Sequence, residues 1–359
     1  MPQTHDPFTL GSFKFILDKT INPNNGEIFY CDITSDCNYI LTLGNMDEEG
    51  NWANARKLLS IHNGACLQEA SEWLKNADIR HHALATGHRI IFNTEAQPSI
   101  ANIIGFSGQS TSLMLGRGLP LTCFMVSKNS QYLIGSTFNS RAPLLEKWRI
   151  NIWDLQNHRS IMNNIVEPLY GIRPFAVSKD CRYLATMSVQ NHTFFIYVRE
   201  HGQVVSSKSI PFLGDGGSFV ASNLVMSDDG EHIIWGLDNT IRVWSWRHNQ
   251  EIILTGHTQS VNWCVLTSNH RYIISASSDF TLRVWDIYNR ECVAIVEEHT
   301  AQVFCCALSH NNQYLISSSA DGTVKIWRSF LSHDVLPDKT STCLPFGMTT
   351  PYWPPAIKV

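Results

Sequence analysis

Apolar residues along much of this chain come in runs of about six, many alternating with polar ones, and short stretches of Asn, Asp, Ser and Gly punctuate them. Runs of that length predict β-strands, and the punctuation predicts tight turns. The pattern is clearest from Gly256 to Arg328, where it occurs twice. The first copy reads GHTQSVNWCVLTSNHRYIISASSDFTLRVWD (Gly256 to Asp286), the second EHTAQVFCCALSHNNQYLISSSADGTVKIWR (Glu298 to Arg328). Trp285 and Trp327 lie 42 residues apart, as do His257 and His299.

The rest of the chain fits the same frame. Tyr39, Tyr132, Tyr183, His232, Tyr272 and Tyr314 each open a predicted second strand. Eight residues before them stand Cys31, Phe124, Phe175, Leu224, Cys264 and Cys306, and five before them Thr34, Ser127, Ser178, Ser227, Thr267 and Ser309. A weaker unit fits between Ala77 and Ser112, with His88 in the Tyr column. The third-strand column reads Leu59, an unassigned residue near Ile103–Ile104, then Trp153, Tyr197, Trp244, Trp285 and Trp327. Self-similarity at this period predicts β-propeller blades. The expected fold is all-β: a seven-bladed β-propeller of four-stranded antiparallel blades. The blades fall near 26–74, 77–113, 119–165, 172–211, 218–255, 258–297 and 300–329, followed by an irregular Pro-rich tail at 331–359. After a polar stub (Met1 to Pro7), Phe8–Asp18 reads as one strand, with a turn at Asn22–Gly26.

These repeats resemble the WD-repeat (WD40-type) family. The resemblance implies that His257, Ser275, Asp279 and Trp285, and likewise His299, Ser317, Asp321 and Trp327, form hydrogen-bonded sets inside their blades. Mutually satisfied polar groups can be buried at little cost. A catalytic His–Ser–Asp reading is disfavoured because the set occurs twice at one spacing. The fifth unit keeps Asp238 and Trp244 but has Trp235 where Ser is expected. The resemblance also implies that Phe8–Asp18 supplies the outer strand of the last blade and closes the ring; a strand from the tail is the alternative. Adaptors of cullin-type ubiquitin ligases in this family often carry Trp-Asp-x-Arg, whereas this chain has Trp153-Asp154-Leu155-Gln156 and Trp285-Asp286-Ile287-Tyr288.

Composition narrows the function. Charged residues are 16% and the net charge is −4, so no basic excess supports nucleic-acid binding. No run of 18 apolar residues or basic-headed leader is present, which predicts no membrane span and no secretory signal. Ten cysteines without a C-x-x-C pair, three of them in one apolar column, predict a reducing, cytoplasmic setting and no zinc cage. No cofactor or metal is expected. Asn191-His192-Thr193 has the form of a glycosylation acceptor but would be inert there.

Two turns between second and third strands are enlarged: Asn45–Arg56 (NMDEEGNWANAR) and Thr137–Arg149 (TFNSRAPLLEKWR). In the resembled family that turn opens on the usual partner-binding face. Candidate partner-binding residues are Trp52, Arg56, Trp73, Arg80, Phe138, Arg141, Trp148, Tyr170 and Arg173, since Trp, Tyr and Arg are enriched in binding hot spots. Alternatively, Trp52 and Trp148 fold back to pin their own loops. His81, His82 and His88 lack an acidic partner for a metal; Gly214–Ser218 lacks the lysine and helix of a phosphate loop. Cys305-Cys306 reads as packing, because adjacent strand residues face opposite ways. The leading function is a non-enzymatic scaffold for a protein or peptide partner, as a monomeric ring or a subunit of a larger complex. The alternative is a propeller enzyme or small-ligand binder at the channel mouth, near Asp32, Arg80, His81 and Arg173.

Overall fold

A computed structural model of the chain describes residues 8–10, 13–23, 26–34, 36–44, 56–67, 79–85, 89–94, 97, 99–105, 110–114, 121–127, 131–142, 148–157, 159–167, 175–188, 193–200, 203–211 and 223–331. Among them every regular element is a strand. Sheet 1 holds β3 (Ile28–Ile33), β4 (Tyr39–Gly44) and β5 (Arg56–Ser60). Sheet 2 holds β6 (Ile79–Ala85), β7 (Arg89–Thr94), β8 (Ile100–Gly105) and β9 (Ser110–Met114). Sheet 3 holds β10 (Leu121–Val126), β11 (Tyr132–Phe138), β12 (Trp148–Asp154) and β13 (Arg159–Glu167). Sheet 4 holds β14 (Phe175–Val177), β15 (Tyr183–Ser188), β16 (Thr193–Glu200) and β17 (Gln203–Pro211). Sheet 5 holds β18 (Leu224–Met226), β19 (His232–Leu237), β20 (Thr240–Ser245) and β21 (Gln250–Thr255). Sheet 6 holds β22 (Val261–Leu266), β23 (Tyr272–Ser277), β24 (Leu282–Asp286) and β25 (Glu291–Val296). Sheet 7 combines β26 (Val303–Leu308), β27 (Tyr314–Ser319) and β28 (Val324–Leu331) with β2 (Phe13–Ile21) and β1 (Phe8–Leu10). Five sheets have the four strands expected; sheet 7 has five, a correction to that expectation, and sheet 1 has three among the described residues.

The repeat columns have a physical cause. Each apolar residue of the first column lies opposite the fourth residue of its second strand, as in Cys264↔Ser275 and Cys306↔Ser317. The hydroxyl column caps the turn: Thr34, Ser127, Ser178, Ser227, Thr267 and Ser309 each accept the N–H of the residue opening the second strand, at 2.9–3.1 Å. Before that strand the chain passes through a left-handed residue: Cys37, Cys181, Gly230, His270 or Asn312. At Gly230 a Cβ would come within 2.1 Å of Tyr183, so only glycine fits. Sheet 2 departs from the expected column. Arg89, not His88, opens its second strand, and Ile104 holds the third-strand position opposite Ile90. His82 lies opposite Phe92, the fourth residue of that strand, and stands seven residues before Arg89 where the other sheets have eight, which moves the column by one.

Neighbouring sheets pack through alternating apolar faces. Ile91 and Ile103 of sheet 2 meet Phe124 and Trp153 of sheet 3; Ile152 meets Leu184; Ile196 meets Trp244. Ile252 meets Trp285, Ile274 meets Trp327, and Ile316 meets Ile40 of sheet 1. Six interfaces therefore run without interruption from sheet 2 through sheet 7 to sheet 1, and the molecule is an all-β propeller. Cys305 joins the core on the sheet 1 side of β26, and Cys306 joins the core on the sheet 6 side.

The N-terminal segment takes the outer place on the last sheet, with Leu17 opposite Trp327 and Ile21 opposite Val324. It is two strands, not the single one expected: β1 folds back on β2 with Leu10 opposite Phe13, and β2 runs on to Ile21. Phe15 is fully buried and Ile16 exposed, as the alternation requires. Leu331 still belongs to β28; the remainder of the expected tail, with Tyr352 and Trp353, lies outside the described residues.

Candidate functional site

Register decides which connections share an end of each sheet. In sheet 6 Val261 lies opposite Ser277, and Leu282 opposite Val296. The β23–β24 turn and the link to the next sheet therefore leave at one end, called here the upper end. The capped turns leave at the other. Across sheets, the Val261 N–H donates to the Asp238 carbonyl at 2.6 Å, bringing the upper ends of sheets 5 and 6 together. Both enlarged turns open at the upper ends of their own sheets, since Leu43 faces Arg56 and Phe138 faces Trp148. Their bounds are narrower than expected. Arg56, Thr137, Phe138, Trp148 and Arg149 are paired strand residues, which leaves 45–55 and 139–147 as the turns proper.

The polar sets sit just beneath this end. His257 Nδ1 lies 2.7 Å from Asp279 Oδ2, its Nε2 lies 2.7 Å from Ser275 Oγ, and the Trp285 indole donates to the same Oγ at 2.8 Å. In the second copy His299 Nδ1 lies 2.8 Å from Asp321 Oδ2 and its Nε2 2.6 Å from Ser317 Oγ. Each carboxylate also takes a backbone N–H, from Thr258 or Thr300 at 3.1 Å, and a hydroxyl, from Thr281 or Thr323. Burial would raise the Asp279 carboxyl, but the Thr281, His257 and Thr258 hydrogen bonds outweigh it and hold the group at about 2. Asp321 is lowered in the same way, with His299 and Thr323 as its strongest donors against burial. Burial depresses both histidines, although each aspartate pulls the other way. A neutral ring donates through Nδ1 to the carboxylate and accepts the Ser hydroxyl at Nε2, so every proton in the chain has a place.

These contacts match a hydrolytic triad in distance, yet they cannot serve as one. Ser275 and Ser317 are fully buried, and the His257 side chain has no solvent exposure. An attacking oxygen needs a reacting carbon about 3 Å away. Here the space around Ser275 is filled by its own His, Trp and strand neighbours, and the indole N–H occupies a lone pair that attack would use.

The candidate recognition residues fall as follows. Arg56 opens β5, Arg80 lies at the irregularity between Ile79 and His81 in β6, and Phe138 pairs with Trp148 at the foot of the second long turn. Arg141 is exposed just beyond β11, its backbone N–H donating to Asn139 Oδ1 at 3.1 Å. Trp52, Trp73, Tyr170 and Arg173 lie outside the described residues, as do His88 and Gly214–Ser218. His81 and His82 are neighbours in β6, and no group of three potential metal ligands occurs among the described residues. Cys305 Sγ donates to the Cys31 carbonyl at 3.4 Å, and burial pushes the Cys305 and Cys306 thiols far up, so neither is poised as a thiolate.

On the innermost strand of sheet 1, Tyr30 donates to Asp32 Oδ2 at 3.2 Å and the Ile33 N–H to Oδ1 at 2.8 Å. Burial lifts Asp32 to about 6 despite both bonds. At the lower end, a belt of Arg–aromatic contacts escaped the sequence reading. Arg199 lies 4.8 Å from the Tyr132 ring centre, Arg247 5.0 Å from Tyr183, and Arg271 5.1 Å from Tyr272. The Tyr column supplies these rings. Arg182 and Arg271 precede their Tyr directly, a signal the sequence did carry; Arg199 and Arg247 arrive from the third-strand side.

The comparisons agree with this architecture. The family model WD40 (WD domain, G-beta repeat) matches residues 249–286 and 290–328, the two copies that carry the polar sets. Residues 249–328 thus carry two WD40 repeats, and they form part of a propeller of antiparallel sheets. Among curated relatives, it is 34% identical over 95 residues to the protein transport protein SEC13 of Pyricularia oryzae (24% of this chain, 33% of that one). It is 41% identical over 66 residues to the nuclear distribution protein PAC1 of Yarrowia lipolytica (18% and 15%). It is 32% identical over 92 residues to the pre-mRNA-processing factor 19 of Bos taurus (25% and 17%). The matches span a third or less of each relative. No helix among the described residues is long and apolar enough to cross a membrane.

Proposed function

We propose that the protein is a non-enzymatic scaffold that binds a protein or peptide partner at the upper ends of its sheets. One contrast carries this reading. Two residues connect β19 to β20 and four connect β23 to β24, whereas nine connect β11 to β12 and eleven connect β4 to β5. Extra length in a repeat protein collects where it works. Its groups with catalytic geometry are meanwhile locked inside the sheets. Trp52, Arg56, Trp73, Arg80, Phe138, Arg141, Trp148, Tyr170 and Arg173 are the proposed contacts. The relatives' names, a transport protein, a nuclear distribution protein and a pre-mRNA-processing factor, fit a platform shared by unlike processes.

The same reading includes a closed ring of seven blades. Six junctions are packed, and meeting of sheets 1 and 2 would complete the circle and remove the exposed edges. A cytoplasmic setting accords with buried cysteines outside any disulfide at Cys31, Cys264, Cys305 and Cys306. The test is affinity capture with wild type and with Trp52→Ala/Trp148→Ala. Partners that copurify with wild type and are lost from the folded variant support the proposal; unchanged capture overturns the role of these turns.

A further inference from the structure

The upper turn of sheet 6 and that of sheet 7 are the same turn with two residues exchanged, Ser278 for Ala320 and Phe280 for Gly322. The first runs Ser278-Asp279-Phe280-Thr281, the second Ala320-Asp321-Gly322-Thr323. Both aspartates accept from equivalent donors: the histidine, the N–H of Thr258 or Thr300, and the hydroxyl and N–H of Thr281 or Thr323. The next residue is left-handed in each, with φ of +73° at Phe280 and +79° at Gly322. Its N–H reaches the carbonyl three residues back at 3.3 Å from Phe280 and 3.2 Å from Gly322. Glycine adopts this conformation freely, whereas an L side chain with a Cβ lowers the folding equilibrium roughly five- to thirty-fold there. A bulky residue at positive φ is an outlier that calls for a cause.

Three of the other left-handed residues return something to the fold. Cys37 and Cys181 fill apolar cores, and Asn312 donates to Ser268 at 2.8 Å. Phe280 has the most positive φ of the described non-glycine residues, belongs to none of the apolar clusters, and leaves 43% of its surface in water. It carries both the backbone penalty and the cost of an exposed ring. Strained and exposed features held this firmly cluster at recognition sites.

The ionisable surroundings are one-sided. Asp238 and Glu297, on the connections that flank this turn, are exposed. The nearby cations are held down: Arg283 lies against Asp279 and Thr281, and Lys325 against Thr20. Thr258, Gln259 and Ser260 supply exposed hydroxyl and amide groups beside them. The patch is therefore an apolar ring within a polar, acidic rim.

We propose that Phe280 is the anchor of a docking site for an extended peptide carrying an apolar side chain flanked by lysine or arginine. This rests on the scaffold reading and names the chemistry of a partner at that end. The test is fluorescence anisotropy with three labelled peptides whose central residues are lysine–leucine–arginine, glutamate–leucine–glutamate and lysine–serine–arginine. The first should bind wild type at least tenfold more tightly than the others. Phe280→Gly should weaken it at least tenfold, and Phe280→Trp should keep it. The thermal midpoint of Phe280→Gly should stay within about 2 °C of wild type or rise. No binding of the first peptide, equal binding of the acidic one, unchanged binding to Phe280→Gly, or a midpoint lower by more than about 5 °C would overturn the proposal; the last result would make the ring a structural plug. Loss of captured partners from Trp52→Ala/Trp148→Ala alongside unchanged binding by Phe280→Gly would sink this inference and leave the scaffold reading standing.

Discussion

Sheets 5 and 6 are adjacent and superficially alike, but they solve the same packing problem with opposite chemistry. At the fourth residue of its second strand sheet 6 has Ser275, which links His257 to Trp285. Sheet 5 has Trp235 there, 2% exposed and packed with Ile233 and Trp244 in the core shared with sheet 4. One site is filled by a hydrogen-bonded chain and the other by an indole. The backbone pairing is the same, Cys264↔Ser275 against Leu224↔Trp235. The polar set is thus one way to fill a blade, not a condition for making one. What both sheets retain is the capped turn, Thr267 to Tyr272 and Ser227 to His232.

Four perturbations probe this comparison. The largest effect is expected from giving sheet 5 the residue of sheet 6. Trp235→Ser opens a cavity without a histidine to meet the hydroxyl, and should cost about 3–5 kcal/mol in urea unfolding. A cost below 1 kcal/mol would mean that the indole is dispensable. Next, Ser275→Ala leaves His257 Nε2 and the Trp285 indole buried without their shared partner. It should cost about 2 kcal/mol, with Ser317→Ala within about 1 kcal/mol of it.

Acid should then loosen sheets 6 and 7. His257 and His299 are depressed by burial, so the unfolded chain takes protons first and stability falls as pH drops below about 6.5. Asp279, held at about 2, contributes stability above about 4 that disappears as pH falls through 2, of order 2 kcal/mol. Stability that is flat from pH 7 to 3 would contradict the proton arrangement. The smallest effect concerns Asp32, whose shift has the opposite sign. Lifted to about 6, it costs stability as pH rises from about 4 through 6. Allowing for its partial exposure, Asp32→Asn should gain about 1 kcal/mol at pH 7 and nothing at pH 4.

The fold was legible where local chemistry repeats. The Tyr column, the hydroxyl five residues earlier and the apolar residue eight earlier each have one structural cause, a capped turn and a fixed register, so they survive drift elsewhere. The polar sets were legible for the same reason. Sheet 2 was misplaced by one because a spacing shortened by one residue, His82 to Arg89, shifts the column without changing the pairing. The break at Leu10–Phe13 was hidden because an apolar run reads alike whether it continues or folds back. The two long turns were found by counting, but their edges were overdrawn, since Phe138 and Trp148 look like loop residues until their pairing is known. Phe280 was open to view, standing where the next repeat has Gly322. Its meaning depends on φ, which no spacing reveals.

The most direct test is the hydrogen-exchange footprint of the protein bound to its captured partner. Partner-induced protection should fall at 45–55, 137–149 and 278–282. Protection confined to the opposite ends of the sheets, at 34–39, 178–183 and 309–314, would contradict the account.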